Sequence, residues 1–319
     1  MRSLFVMDPL DRIHVAGDST YVTMRECSDR GHPVWYCTPD RLYARDGRAR
    51  ALATKVRTVG EAPWFLPGEQ VDLDLGDIDV VWMRKDPPFD MRYIFSTYLL
   101  DMVPESTLVV NGAHGLKLFN EKMWVMAGWP HLQPPTLVSN DIKALRRFVE
   151  DHDDHVVVKP WDGNGGRGVV VIRRGDRNLA SVLELLTTDG RDYVIAQHYI
   201  PGVERGDKRI ILFDGDPVGA ILRVPGPTDH RANMHVGAQV QPTDLDARDR
   251  EICEAIGPSL REWGMVFVGI DVIDGWLTEI NVTSPTGLRE IDRLYGLRLE
   301  SELVDRVERR LARHRGGSA

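Results

Sequence analysis

The sequence predicts a mixed α/β protein that opens with a doubly wound lobe and continues into α+β lobes. Three observations carry this reading. A short apolar strand, Ser3 to Met7, leads to a helical stretch, Ser19 to Arg30, that Gly31 stops, and then to a second strand, Val34 to Cys37. That βαβ order is how a parallel, doubly wound sheet begins. From Thr136 the character changes, and strands flank a glycine-rich loop and long polar loops. Near the end, Val266 to Pro285 holds two apolar, β-branched runs on either side of Asp274-Gly275, a turn-forming pair, and reads as a β-hairpin.

Composition sets bounds. A chain of 319 residues suits two or three compact lobes with a sizeable core. The net charge of -8 does not favour a nucleic-acid or anionic-membrane partner. The N-terminus, MRSLFVMDPL, is too short an apolar run for a signal peptide, and no run reaches membrane-spanning length. Cys27, Cys37 and Cys253 are odd in number and lack CxxC spacing, which points to reduced thiols. The expected setting is cytoplasmic, with small-molecule substrates, no nucleic acid, no membrane, and assembly as a homo-oligomer.

Taken in order, the first helix starts at Asp18-Ser19-Thr20, whose amides would receive an anionic substrate or which is an ordinary N-cap. Asp79 to Met83 is a buried strand that runs into Arg84-Lys85-Asp86-Pro87-Pro88. The paired prolines stiffen the turn, which would aim Arg84 or Lys85 into the crevice at the strand ends. Leu108 to Asn111 is a further strand, and one helix is expected from about Lys117 to Trp129. Val156 to Pro160 is a strand carrying Lys159 among apolar neighbours. Val194 to Gln197 enters His198-Tyr199-Ile200, a hinge where an adenine could meet apolar groups and main-chain atoms. Strands Ile210 to Phe213 and Val218 to Arg223 flank a turn at Gly215-Asp216. The polar stretch Pro225 to Gln241 is either a lid or an exposed excursion. Asp249 to Trp263 and Leu297 to Arg315 complete the chain as helices.

Two segments carry chemistry. Trp161 to Gly168 is WDGNGGRG, and Gly163, Gly165 and Gly168 formally match the dinucleotide fingerprint. That motif needs a helix next, and here a strand follows, so the Rossmann reading fails. Kinase and Walker A readings fail as well, because no H-R-D, D-F-G or G-K-[ST] element is present. What remains is a strand-loop-strand flap whose bare amides can close over phosphates, or a hairpin tip without function. In the C-terminal hairpin, Asp271, Glu279 and Asn281 stand where a core strand would carry Val or Ile. Buried carboxylates of that kind are costly unless a hard divalent ion offsets them, so the hairpin reads as a magnesium-phosphate floor; acids facing water are the alternative. Side chains alternate along strands, so Asp271 joins Glu279 and Asn281 only through an odd loop, such as Ile273-Asp274-Gly275 with a bulge at Gly275.

The ordered set Lys122, Lys159, Gly163-Asn164-Gly165-Gly166, Asp207-Lys208-Arg209, Asp271, Glu279 and Asn281 resembles the ATP-grasp ligases, and more narrowly the bacterial glutathione synthetase family. The matching stretches include VMDP, MRKDPPFD, NEK, KPWDGNGG, GDKR, FVGIDVI and TEINVTSPTGLRE, and they cover nearly the whole chain. The resemblance implies an ATP-grasp fold with an N-terminal doubly wound domain over 1-121, a subdomain with the flap over 122-200, and a subdomain with metal site and lid over 201-319. It implies ATP held by Lys122, Lys159, Gly163, Asn164, Gly165, Gly166, Gln197, His198, Tyr199, Ile200 and Asp207. Mg²⁺, or Mn²⁺ in its place, would sit on Asp271, Glu279 and Asn281. Arg209 and Arg223 would stabilise the reacting phosphoryl group, and Asp18, Ser19, Arg84, Arg231, Asn233, Ser284 and Arg289 would meet substrate.

The implied reaction makes an acyl phosphate of γ-glutamylcysteine, which the amine of glycine attacks. One departure from the family pattern is visible. Where its lid ends in two glycines and an arginine, this chain has Gly237-Ala238-Gln239, which leaves open a ligase joining another amino-acid or γ-glutamyl donor to another amine. A nucleotide-binding regulator without catalysis is opposed by the intact metal triad and Arg209.

Overall fold

The computed structural model describes residues 1–152, 155–163, 165–226 and 239–316. Asn164, Arg231, Asn233 and most of the expected lid, residues 227–238, lie outside them. The chain opens with β1 (Ser3–Met7), α1 (Ser19–Asp29) and β2 (Val34–Cys37). Next come β3 (Leu42–Arg45), β4 (Arg48–Thr58), β5 (Phe65–Asp74), β6 (Val80–Arg84), α2 (Met91–Leu100) and β7 (Leu108–Val110). Strands β2, β1, β6 and β7 lie side by side and parallel, as the βαβ opening predicts. Every residue of β1 and β6 is buried, the mark of strands covered on both faces. The stretch between β2 and β6 carries β3, β4 and β5, which extend the sheet antiparallel from β2. Along β4 buried and exposed residues largely alternate, so one face packs and the other is wet.

The single helix expected from Lys117 to Trp129 is two: α3 (Ala113–Leu118) and α4 (Met123–Gly128). The cause is Asn120, whose side-chain oxygen accepts from the amides of Lys122 (3.2 Å) and Met123 (3.1 Å) and restarts the helix. That break leaves Lys122 at a helix start.

A second sheet holds β8 (Thr136–Ser139), β9 (His155–Pro160), β10 (Val170–Arg173) and β11 (Val194–His198) in the order β10-β9-β11-β8. Helices α5 (Ile142–Asp151) and α6 (Leu179–Leu186) cover it, and Leu145, Val149, Val156, Val158 and Leu183 make its own core. The third sheet comprises β12 (Asp207–Phe213), β13 (Asp216–Val224), β14 (Gln239–Pro242), β15 (Phe267–Ile273) and β16 (Trp276–Asn281), with α7 (Ala247–Glu262), α8 (Leu288–Tyr295) and α9 (Leu299–Gly316). Its strands run in the order β14-β13-β12-β15-β16. The β12-β13 turn is Asp214-Gly215, one residue before the expected Gly215-Asp216, with left-handed φ of 50° and 77°.

Unlike the second sheet, the third shares its apolar clusters with the first: Leu4, Val6 and Met83 pack in one cluster with Leu212, Val268 and Ile280. Asn111 rivets the two sheets. Its Nδ2 donates to the carbonyls of Phe267 and Val282, each at 2.7 Å, and its Oδ1 accepts from the Phe267 amide at 2.8 Å.

Candidate active site

The hairpin β15-β16 puts its acids on one face, by a different device from the one expected. Its turn is a two-residue Asp274-Gly275 pair with φ of 50° and 78°, the type I′ form, and not a three-residue loop. Parity is restored within β16. Asp271 pairs with Glu279 but Val272 pairs with Leu277, so Thr278 is an extra, bulged residue. The bulge turns Glu279 and Asn281 back to the Asp271 face.

Strand register then builds a row of charges. Arg209 on β12 sits opposite Asp271, and Asp207, two residues earlier, sits opposite Arg223 on β13. Arg209 holds Asp271 in a two-pronged pair, Nε to Oδ1 at 2.5 Å and Nη2 to Oδ2 at 3.0 Å. Arg223 binds Asp207 and lies 2.9 Å from Asp271 Oδ1. Gly269 makes the room: a Cβ there would meet Arg209 Cδ and Pro285 Cβ, each at 3.2 Å.

Burial governs how these groups titrate. It alone would raise the Asp271 carboxyl, but the Arg209 and Arg223 guanidiniums reverse that and hold it well below the usual carboxylate range. Asp207 goes the other way. Burial and the neighbouring Asp271 charge outweigh Arg223 and push it up to about 7. Arg223 itself is raised, because Asp207 and Asp271 overcome its burial. Asp207 Oδ1 and Arg223 Nε are buried with no hydrogen-bond partner among the described residues.

Above this row stand two lysines. Lys122 Nζ donates to the Gly163 carbonyl of the flap at 2.5 Å and lies 3.6 Å from Glu279, while Lys159 Nζ lies 4.0 Å from Glu279 and 3.4 Å from Gln197 Oε1. Burial lowers the Lys159 ammonium pKa; Glu279 pulls it up and Lys122 pushes it down. Gly165 and Gly166 have left-handed φ of 61° and 74°, and a Cβ at Gly165 would meet nothing within 4 Å. At Gly165 the flap therefore leaves room above its backbone.

All these groups line one cleft of about 1100 Å³ between the three sheets. Of the expected residues, Lys122, Lys159, Gly163, Gly165, Gly166, Gln197 to Ile200, Asp207, Arg209, Arg223, Asp271, Glu279, Asn281, Asp18 and Ser284 line it. Ser19, Arg84 and Arg289 do not. Ser19 is fully buried; Arg84 donates to Thr20 Oγ1 and the Pro285 carbonyl and stacks over Phe267; Arg289 donates to the Val15 carbonyl over the Tyr21 ring. Their charges join lobes together. Lys85 pairs with Asp8 at 3.0 Å. At the hinge, the amides of His198 and Tyr199 are spent on the carbonyls of Pro135 and His155, so those two cannot serve an adenine.

Sequence reasoning passed over Glu121, in the middle of NEK. Its Oε1 accepts from the amides of Val282 and Thr283 and from Thr283 Oγ1, at 3.1, 3.2 and 2.8 Å, and its carbonyl accepts from Ile280. It clamps the end of β16 beside Asn281. Glu290 and Arg293, which also line the cleft, were missed because a helix-start acid and a following arginine read as ordinary α8 surface.

The floor offers oxygen donors only, the choice of a hard divalent cation. Among the described residues no three His, Cys, Asp or Glu side chains converge as a metal cluster, so the third donor would be the Asn281 amide. Asn281 Nδ2 donates to Asp271 Oδ2 at 3.2 Å, which leaves its carbonyl oxygen for other work, and among the described residues the nearest cation to Glu279 is Lys122, at 3.6 Å. The residues fit the ion.

Models of the prokaryotic glutathione synthetase N-terminal domain and ATP-grasp domain match residues 1–117 and 121–296. The glutathione synthetase of Agrobacterium fabrum is 45% identical over 305 residues, covering 95% of each chain. That of Mesorhizobium japonicum is 46% identical over 304 residues, covering 95% of this chain and 96% of its own. Among solved structures, D-cycloserine synthetase DcsG aligns with a TM-score of 0.69 at 18% identity, covering 97% of this chain and 99% of its own. A RimK domain ATP-grasp protein from Sphaerobacter thermophilus aligns with a TM-score of 0.64 at 16% identity, covering 96% and 98%. These two establish the ATP-grasp fold. Full-length coverage at such identity and both domain matches make this chain a member of the prokaryotic glutathione synthetase family, the ATP-dependent carboxylate-amine ligases that use a divalent metal.

Proposed function

We propose that the chain makes glutathione from γ-glutamylcysteine, glycine and ATP with Mg²⁺. The observation that carries this is the Asp271-Glu279 pair facing Lys122, Lys159, Arg209 and Arg223 across one cleft. Four cations and a hard-oxygen floor suit transfer of a phosphoryl group to a carboxylate, where the protein positions and neutralises charge and needs no side-chain nucleophile.

In this reading the cysteinyl carboxylate of the donor takes the γ-phosphoryl group of ATP, and ADP leaves. The amine of glycine then attacks the acyl carbon, the C–N bond forms, phosphate departs, and the amine gives up its proton. Lys122 and Lys159 hold phosphate oxygens, with Lys122 also drawing the flap through Gly163. Arg223, held on Asp207 and Asp271, adds its positive charge beside the reacting oxygens, while Arg209 keeps Asp271 in place. When bound on Asp271, Glu279 and Asn281, Mg²⁺ supplies charge neutralisation of the phosphates. Glu121 fixes the strand end that carries Asn281. Lobes at 1–121, 122–200 and 201–319 supply donor site, flap and floor.

The test is direct. Incubation of the chain with ATP, Mg²⁺, γ-glutamylcysteine and glycine, read by mass spectrometry, should yield glutathione and one ADP per peptide bond. ADP without glutathione, or no turnover, would refute the substrate assignment.

A further inference from the structure

At the turn of the β12-β13 hairpin, the end away from the cleft, lies a second cavity of about 330 Å³. Arg306, Arg309, Arg310 and Arg313 recur at three- and four-residue steps along α9, so one stripe of that helix carries them all. Arg261, in the last turn of α7, and the turn residues Asp214 and Asp216 complete the lining. Close packing fixes the turn against α7: a Cβ at Gly215 would stand 2.5 Å from the Gly257 carbonyl oxygen.

Arg306 is spent on this framework. Its Nε and Nη2 donate to Glu302, at 3.0 and 2.9 Å, and its Nη1 donates to the Phe213 carbonyl and to Asp216, at 2.9 and 3.1 Å. Arg310 and Arg261 are only half spent. Among the described residues Arg310 gives Nη1 alone, to Asp214 at 2.8 Å, and Arg261 gives Nη1 alone, to the Asp214 carbonyl and Asp216 at 3.0 and 3.2 Å. Arg309 and Arg313 are exposed, and neither has an ion pair or hydrogen bond among the described residues.

Five guanidiniums thus share one small space with two carboxylates, in a chain whose net charge is -8. Like charges gathered in this way are costly unless an anion joins them. Compensation of the α9 dipole accounts for a basic last turn, yet it does not bring Arg261 in from another helix. Guanidinium forks match phosphate oxygens in pairs, and a single phosphate has too few oxygens to engage four of them.

We propose that this cavity is a second anion site, which takes a di- or triphosphate group on Arg261, Arg309, Arg310 and Arg313. The group is either a free polyphosphate or the tail of a nucleotide, since a cavity of this size admits a small molecule. The site stands apart from the metal floor and does not depend on the glutathione reading.

The experiment titrates inorganic pyrophosphate into the full chain by calorimetry, without divalent metal, for wild type and for Arg309→Ala/Arg313→Ala. Both arginines are exposed, so the variant keeps its fold and its turnover. Pyrophosphate that enters the active cleft binds both chains alike, and the difference between them reports the second site. Wild type should hold one equivalent that the variant binds at least roughly tenfold more weakly, and high salt should erase the difference. Asp216→Asn, which frees Nη1 of Arg261 and of Arg306, should tighten binding. Equal binding by wild type and the double variant, or weaker binding by Asp216→Asn, would overturn the site. ADP then assigns the source. One more equivalent of ADP on wild type than on the double variant supports a nucleotide tail, whereas equal ADP with the pyrophosphate difference intact supports a free polyphosphate.

Discussion

The β12-β13 hairpin carries an ion-pair network at each end, and the two behave as different materials. At its open end Asp207, Arg209 and Arg223 meet Asp271; at its turn Asp214 and Asp216 meet Arg261, Arg306 and Arg310. Distance hardly separates them. Arg209 is 2.5 Å from Asp271, and Arg310 is 2.8 Å from Asp214. Burial separates them decisively: the Arg223 side chain is 3% exposed, against 48% for Arg261 and 59% for Asp216. Only at the open end are there unpartnered buried atoms and a carboxyl pushed up to about 7. Ion pairing alone therefore says little about function. Pairing in a low dielectric, with valences left over, says much more.

Four variants test this contrast, in descending size of effect. Arg223→Ala leaves Asp207 and Asp271 buried beside a single guanidinium, and should lower unfolding free energy by roughly 3–5 kcal/mol, read by chemical denaturation. A loss under about 1 kcal/mol would place the open end in the solvated class. Glu279→Gln should cut turnover by at least about a hundredfold while the melting temperature holds, since among the described residues the Glu279 carboxylate meets only Lys122 and Lys159, at 3.6 and 4.0 Å. Near-normal turnover at limiting Mg²⁺ would remove Glu279 from the site.

Asp207→Asn addresses pH. The folded carboxyl lies at about 7 against an ordinary 3.8, so between those values the folded chain holds a proton that the unfolded chain has released. Stability from this group is present below 3.8 and is lost as pH rises toward 7. The variant should lack that decline, and a decline in the variant as steep as that of wild type would contradict it. Last, Arg261→Ala at the exposed end should change stability by less than about 1 kcal/mol, and by still less in high salt.

Much of this architecture was legible in the sequence, for identifiable reasons. The βαβ opening and the Asp274-Gly275 turn are local signals that the fold leaves intact. The alternation argument required Asp271 to be brought into phase with Glu279, yet the correction sits at Thr278 in mid-strand, where no glycine or proline advertises a bulge. Arg84 was read as a ligand arginine from its place at a strand end and Arg289 from the family resemblance; the partners the structure gives them, Pro285 and Val15, are distant in sequence. The antiparallel extension from β3 to β5 is far from the chemistry and was not predicted. Asn120 is a reminder that one side chain can split a helix and, by splitting it, position Glu121 and Lys122.

The central claim is that Asp271, Glu279 and Asn281 form a divalent-metal floor beneath a nucleotide. The most direct measurement is an electron paramagnetic resonance titration of Mn²⁺ into the chain with ADP present, for wild type, Glu279→Gln and Asn281→Ala. Wild type should immobilise about one Mn²⁺ per chain, as a single oxygen-donor site demands, and both variants should bind it far more weakly while still binding ADP. Equal Mn²⁺ affinity in all three would show that the metal, if one is used, sits somewhere else.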